Sequence, residues 1–125
     1  MPEQTIKEAA VEFLTLVATG KVREAYDRHV GPGFRHHNPH FRGDAASLMK
    51  GMQANATENP DKELEVQRAL QEGDEVAVFS RVTLRPGDPA FALVHIFRFE
   101  GTRIAEAWDI SEAVPKDCVN ENGMF

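Results

Sequence analysis

A single cysteine, Cys118, in 125 residues excludes an internal disulfide, and one thiol cannot build a cysteine-based zinc site. It reads as a tail thiol with no assigned role. No apolar stretch approaches the length of a membrane span. The opening Met1-Pro2-Glu3-Gln4 has neither the positive charge nor the apolar run of a secretory signal, which points to a cytoplasmic protein. Runs of Lys or Arg are missing too. Fourteen basic residues stand against 20 acidic ones, for a formal net charge of −6, and this argues against nucleic acid and anionic membrane as partners, since both are held through basic patches. A small neutral or apolar ligand suits that balance. With no repeat, low-complexity tract or internal linker, residues 1–125 read as one domain, long enough for a real core and too short for two.

The first half of the chain carries helical spacing. Ile6, Ala10, Phe13, Leu14 and Val17 recur on one face, Thr5 with Glu8 can form a capping box, and Gly20 supplies a stop. A shorter helix with Val22, Ala25 and Tyr26 on one face is expected to end before Gly31-Pro32-Gly33, and residues 34–43 read as irregular. Asp44 can N-cap a third helix with the stripe Ala45, Leu48, Met49, Met52 and Ala56, whose methionines read as core; Pro60 follows its end.

From residue 62 the period changes to two. Leu64, Val66 and Leu70 alternate with polar residues, Glu72-Gly73-Asp74 turns the chain into residues 76–84, and Pro86-Gly87-Asp88-Pro89 and Glu100-Gly101-Thr102 mark two further turns. About four long antiparallel strands after three helices is the order of an α+β domain whose helices cover one face of a curved sheet. Apolar residues on the second face, Val94, Ile96 and Trp108, call for another cover, and a homodimer through that face is the expected one. The tail after Pro115 reads as a polar arm.

The chemistry concentrates on the last hairpin. A three-residue loop over Gly101, Thr102 and Arg103 sets His95 directly opposite Asp109, whereas a two-residue loop opposes His95 to Trp108 and turns Asp109 to the other face. In the first register Phe91, Leu93, Phe97 and Phe99 flank His95, while Ala105, Ala107 and Ser111 flank Asp109. Large residues facing small ones leave room for a ligand, and an apolar wall disfavours the charged form of a carboxylate. Such a pair is suited to proton transfer.

A second constellation is Phe34-Arg35-His36-His37-Asn38-Pro39-His40-Phe41. Three histidines suggest zinc, but the segment has no helical register across Pro39, adjacent His36 and His37 point apart in an extended chain, and no cysteine helps. The reading adopted is no metal. One of His36 and His37, with Asn38, would instead stand at the rim of a pocket as donors to a substrate carbonyl. Arg68 shares its alternation with Leu64, Val66 and Leu70, either as a third polar group of the pocket or as a partner for a glutamate. The hydroxyl of Tyr26 either reaches the pocket or caps a core contact.

The helix-then-meander order, Phe34…His37-Asn38-Pro39, the strand Val94-His95-Ile96-Phe97-Arg98-Phe99 and Ile104…Glu106…Trp108-Asp109 together resemble the SnoaL-like polyketide cyclases of the nuclear-transport-factor-2-like superfamily. The terminal residues 120–125 are similar to the ending of bacterial members described as SnoaL-like aldol-condensation proteins. The resemblance implies a cone-shaped sheet with three N-terminal helices on its concave face. It also implies a cofactor-free intramolecular aldol condensation, with Asp109 as acid/base and His95 beside it. His95 and Asn38, with His36 or His37, would stabilise an oxyanion, and Phe79, Phe91, Phe97 and Phe99 would hold a flat substrate. Two alternatives use the same pocket: a binding domain without catalysis, and an isomerase or dehydratase that moves a proton without closing a ring.

Overall fold

The computed structural model describes residues 4–125. Helix α1, Ile6–Ala18, begins at the capping box: the Glu8 N–H donates to Thr5 Oγ1 and the Thr5 N–H donates to Glu8 Oε1, both at 3.1 Å. Its stripe of Ala9, Ala10, Phe13, Leu14 and Val17 is buried, and α2, Val22–His29, buries Val22, Ala25, Tyr26 and His29. Helix α3, Ala45–Glu58, is N-capped by Asp44, whose carboxylate accepts from the Ser47 N–H at 2.9 Å.

Residues 30–37, read from sequence as a turn and irregular chain, form strand β1, Val30–His37. It is followed by β2, Glu63–Glu72; β3, Glu75–Thr83; β4, Phe91–Glu100; and β5, Arg103–Ala113. The sheet order is β1-β5-β4-β3-β2, antiparallel except that β1 runs parallel to β5. The expected four-strand meander therefore carries a fifth strand on one edge. Pro32 is tolerated there because an edge strand can spare an N–H, and the register breaks between Val30 and Arg35 around it. Gly31 answers to close approach, since a Cβ at that position would stand 3.3 Å from Arg103 Cβ.

Two bulges decide which residues face the helices. The β4–β5 turn is two residues long, Gly101-Thr102, closed by the Glu100–Arg103 pair, and Phe99 still pairs with Ile104. Ala105 is then skipped, so Arg98 pairs with Glu106 and His95 with Asp109. The bulge thus restores the face that a two-residue loop alone would have reversed. It also turns Ile104, which strict alternation from Trp108 and Ile110 would place on the outer face, fully into the core. On β2 the register shifts between Val66 and Arg68, which puts Ala69 opposite Val78 on the inner face and turns Arg68 and Leu70 outward.

The core lies between the helices and the concave face of the sheet. Phe13, Leu14, Tyr26 and Leu48 pack against Val76, Val78, Phe97, Phe99 and Ile104. Phe13 meets Phe97 edge-on, with ring centroids 5.7 Å apart, and sits 5.6 Å from Tyr26. Toward the 84–91 end the core gives way to a cavity.

Candidate active site

The cavity, of about 270 Å³, is roofed by α1 and α3 and floored by β4 and β5, with apolar walls from Val17, Leu48, Leu64, Val82, Phe91 and Leu93. Its size is at the small end of ligand pockets. His95 and Asp109, opposite each other on β4 and β5, both line it. His95 Nε2 stands 3.7 Å from Asp109 Oδ1, close enough for an ion-pair contact and too far for a hydrogen bond. The other oxygen, Asp109 Oδ2, accepts from Asn38 Nδ2 at 2.8 Å.

Asn38 is itself held from two sides. Its Oδ1 accepts from the His40 N–H at 3.0 Å, an Asx turn that aims the amide nitrogen at Asp109, and its N–H donates to His36 Nδ1 at 3.1 Å. With Nδ1 accepting, the proton of His36 belongs on Nε2, which donates to the Arg42 carbonyl. The buried His36 ring therefore positions the segment carrying Asn38 and is not among the cavity's lining residues.

His95 is 8 % exposed and its ring lies parallel to that of Phe97, with centroids 5.8 Å apart. Burial pushes its pKa below the ordinary histidine value, and the nearby charge of Asp109 only partly opposes that. At neutral pH the imidazole is neutral. Its Nδ1 is buried without a hydrogen-bond partner among the described residues. One carboxylate oxygen fastened by an amide and the other turned to a neutral imidazole across an apolar cavity can accept a proton and pass it on.

The other residues singled out from sequence fall elsewhere. Phe91 lines the cavity, while Phe97 and Phe99 are buried beneath it as core. Tyr26 donates its hydroxyl to Met52 Sδ at 3.4 Å, packing behind a cavity wall. His37 lies on the outer side of the sheet, because it alternates with His36 along β1. There it pairs with Glu106 at 2.7 Å and stacks on Trp108, with centroids 5.0 Å apart. Phe79 pairs with Val94 on the same outer face. The β2 bulge brings the Arg68 guanidinium over the Phe79 ring at 5.9 Å, on the outer face and away from the cavity, and among the described residues it has no carboxylate within ion-pair distance. Among the described residues no three His, Cys, Asp or Glu side chains converge in a way that could hold a metal.

The cavity also holds residues to which the sequence reading gave no role, among them Phe41, Asn55 and Lys62. Asn55 had a visible signal, since it continues the spacing of Leu48 and Met52 on the inward stripe of α3. The Phe41 ring lies against Gly51 of α3, where a Cβ would approach it to 2.3 Å.

The model for the SnoaL-like domain matches residues 10–107, most of the chain, and takes in the helices, β1 to β4, and the start of β5. The chain belongs to the SnoaL-like domain family. Solved structures carry the same cone. A proposed polyketide cyclase from Acidithiobacillus ferrooxidans is 21 % identical with a TM-score of 0.69, covering 90 % of this chain and 92 % of its own. A second, from Bacillus cereus, is 22 % identical with a TM-score of 0.74, over 86 % of this chain and 74 % of its own. AclR, a proposed hydroxylase from Streptomyces galilaeus, is 22 % identical with a TM-score of 0.73, over 86 % and 88 %. No curated protein matches the sequence. At these identities the neighbours speak for the fold, which hosts several chemistries. No helix among the described residues is long and apolar enough to cross a membrane.

Proposed function

We propose that this SnoaL-like chain is a small cytoplasmic enzyme that moves a proton at carbon next to a carbonyl, in the manner of an aldol-type cyclase. The observation that carries the reading is Asp109, held by Asn38 through one oxygen and open to the cavity and His95 through the other. Asp109 takes a proton from a carbon acid, and neutral His95 with the Asn38 amide lies where an enolate oxygen would be met. Apolar walls around Phe91 and Leu93 fold the substrate for attack on a second carbonyl. Delocalisation of the enolate over the carbonyl provides the electron sink, so a positioned carboxylate suffices. The names of two neighbours as proposed polyketide cyclases agree with this direction. An isomerase or dehydratase that moves a proton on the same carboxylate without ring closure is the nearest variant of this reading.

The test is deuterium uptake, followed by NMR, at the carbons flanking the ketone of 4-phenylbutan-2-one and of small aryl β-diketones. The wild-type protein is expected to accelerate uptake. Asp109→Asn, which keeps the shape and the contact to Asn38, is expected to lower the rate by about 10²–10⁴-fold with little change in affinity. An unchanged rate removes Asp109 from the mechanism, and binding without any acceleration makes this a binding domain.

The same reading includes a homodimer through the outer face of the sheet. Ile110 and Leu70 are each 64 % exposed there, beside half-buried Val94, Ile96 and Trp108, an apolar surface of the kind a second copy covers. Light scattering is expected to give a dimer that Ile110→Glu converts to a monomer; a wild-type monomer at micromolar concentration removes this part of the proposal.

A further inference from the structure

The polar groups of the cavity divide into two sets. Asn38, His95, Asp109 and Ser111 belong to the β1 end and to β4 and β5; Asn55 and Lys62 belong to the end of α3 and the approach to β2. Strands β5 and β2 are separated by β4 and β3 in the sheet, and the two sets reach into the one cavity from different sides. The two sets therefore address opposite ends of a bound molecule.

Local structure builds the second set. Asn59 closes α3 by donating its N–H and its Nδ2 to the Asn55 carbonyl, at 2.9 and 3.0 Å, and the Lys62 N–H donates to the Asn59 carbonyl at 3.2 Å. This turn brings the Lys62 ammonium onto the Asn55 side chain, where Nζ donates to Oδ1. With Oδ1 occupied, what remains of both side chains is N–H. No carboxylate among the described residues lies within ion-pair distance of Lys62; the carboxylates with a basic side chain that close have Arg23, Arg28, Arg35, Arg98 or a histidine as partner.

Among the described residues none of the other four lysines is in an ion pair either, but their setting differs. The other four lysines, Lys7, Lys21, Lys50 and Lys116, are exposed and solvated, whereas Lys62 is half-buried in an apolar cavity. Burial there lowers its pKa. A cation partly stripped of water and given only one amide oxygen is under-compensated, and an anionic ligand group would supply what is missing. Asp109 at the far end repels the same group, so the cavity's own charges orient such a ligand.

We infer that Lys62, with Asn55, is the specificity-determining anchor for a carboxylate, so that the substrate class is a small keto acid bound as its anion. The carboxylate lies on Lys62 and the ketone with its acidic carbon lies at Asp109. This deepens the reading of Asp109 as a base and rests on it for the placement of the ketone; the anion preference is independent of turnover.

The experiment is calorimetric titration of the full chain with 4-oxo-4-phenylbutanoate and with its methyl ester at neutral pH and low salt. Wild-type protein is expected to bind the acid at least about tenfold more tightly than the ester. Lys62→Met is expected to bring that ratio to about one while ester affinity stays within about twofold, and Lys62→Arg to retain most of the preference. Equal binding of acid and ester by the wild type, no binding of the acid at millimolar concentration, or a preference that survives in folded Lys62→Met overturns the inference. Deuterium uptake beside the ketone, measured on the same ligand, reports separately on Asp109. Acid preference without exchange leaves the anchor standing and removes the base; exchange without acid preference does the reverse.

Discussion

Gly51 shows how one residue can set the shape of the cavity against the stability of the helix that carries it. It lies inside α3, where glycine costs roughly 1 kcal/mol relative to alanine. The cost has a structural counterpart: the ring of Phe41, a cavity residue 41 % exposed, occupies the space that a Cβ would take, with Cε1 at 2.3 Å. The obstructed atoms belong to an exposed ring that can swing outward, so Gly51→Ala is expected to fold. Helix propensity should raise its unfolding free energy by up to about 1 kcal/mol. Displacing Phe41 from the cavity mouth should at the same time weaken binding of 4-oxo-4-phenylbutanoate several-fold. Chemical denaturation and calorimetry on one preparation check both halves. A gain in stability with unchanged affinity shows that Phe41 covers nothing a ligand uses.

At the scale of elements, what sequence reveals depends on whether an element follows one period throughout. The three helices were legible because each carries its stripe and a cap, and the Thr5–Glu8 box and Asp44 form as their spacing requires. The meander was legible because tight turns punctuate a period of two. Strand β1 was not, since Gly31-Pro32-Gly33 has the composition of a turn and its pairing with β5 spans some seventy residues of chain. The bulges were invisible for a related reason. A bulge inserts one residue without any compositional mark, and it reverses the face of everything beyond it. At Gln67 this sent Arg68 away from the cavity to the ring of Phe79. At Ala105 it worked in the other direction: a two-residue turn, which by itself separates His95 from Asp109, still delivers them opposite each other. Asn38 was recognised as a rim residue. Its bond to Asp109 depends on the Asx turn with His40 and the contact with His36, and neither can be read from spacing.

For the whole molecule, carboxylates that tie elements together and a histidine buried at the cavity floor lose their favourable ionisation at different pH. Glu106 on β5 is buried among Arg35 and His37 of β1 and Arg98 of β4, at 2.9, 2.7 and 3.3 Å, and pins the edge strand to the meander. Glu12 of α1 accepts from Arg28 and His29 of α2, each at 2.8 Å, and joins the two helices. Hydrogen bonds from these partners, Arg35 foremost for Glu106 and Arg28 for Glu12, hold both carboxyls well below the usual range, at about 2. A depressed carboxyl pKa contributes stability that is fully present above the unfolded value near 4.5 and is lost as pH falls toward the folded one. His95 acts higher on the scale. Its folded pKa is lowered by burial, so the unfolded chain takes up its proton first, near 6.5, and stability declines from there downward until the folded ring also protonates. Acid should therefore destabilise the protein in two stages, one beginning near pH 6.5 and a steeper one below about pH 4.5. Glu106→Gln and Glu12→Gln should each lower stability at neutral pH and flatten the lower stage, leaving the upper one in place. His95→Gln should flatten the upper stage alone. Urea unfolding at half-unit steps from pH 7.5 to pH 2.5 resolves the two. A single stage common to wild type and His95→Gln would mean that the histidine at the cavity floor is not held neutral by the fold. Its part as the neutral partner of Asp109 would then have to be given up.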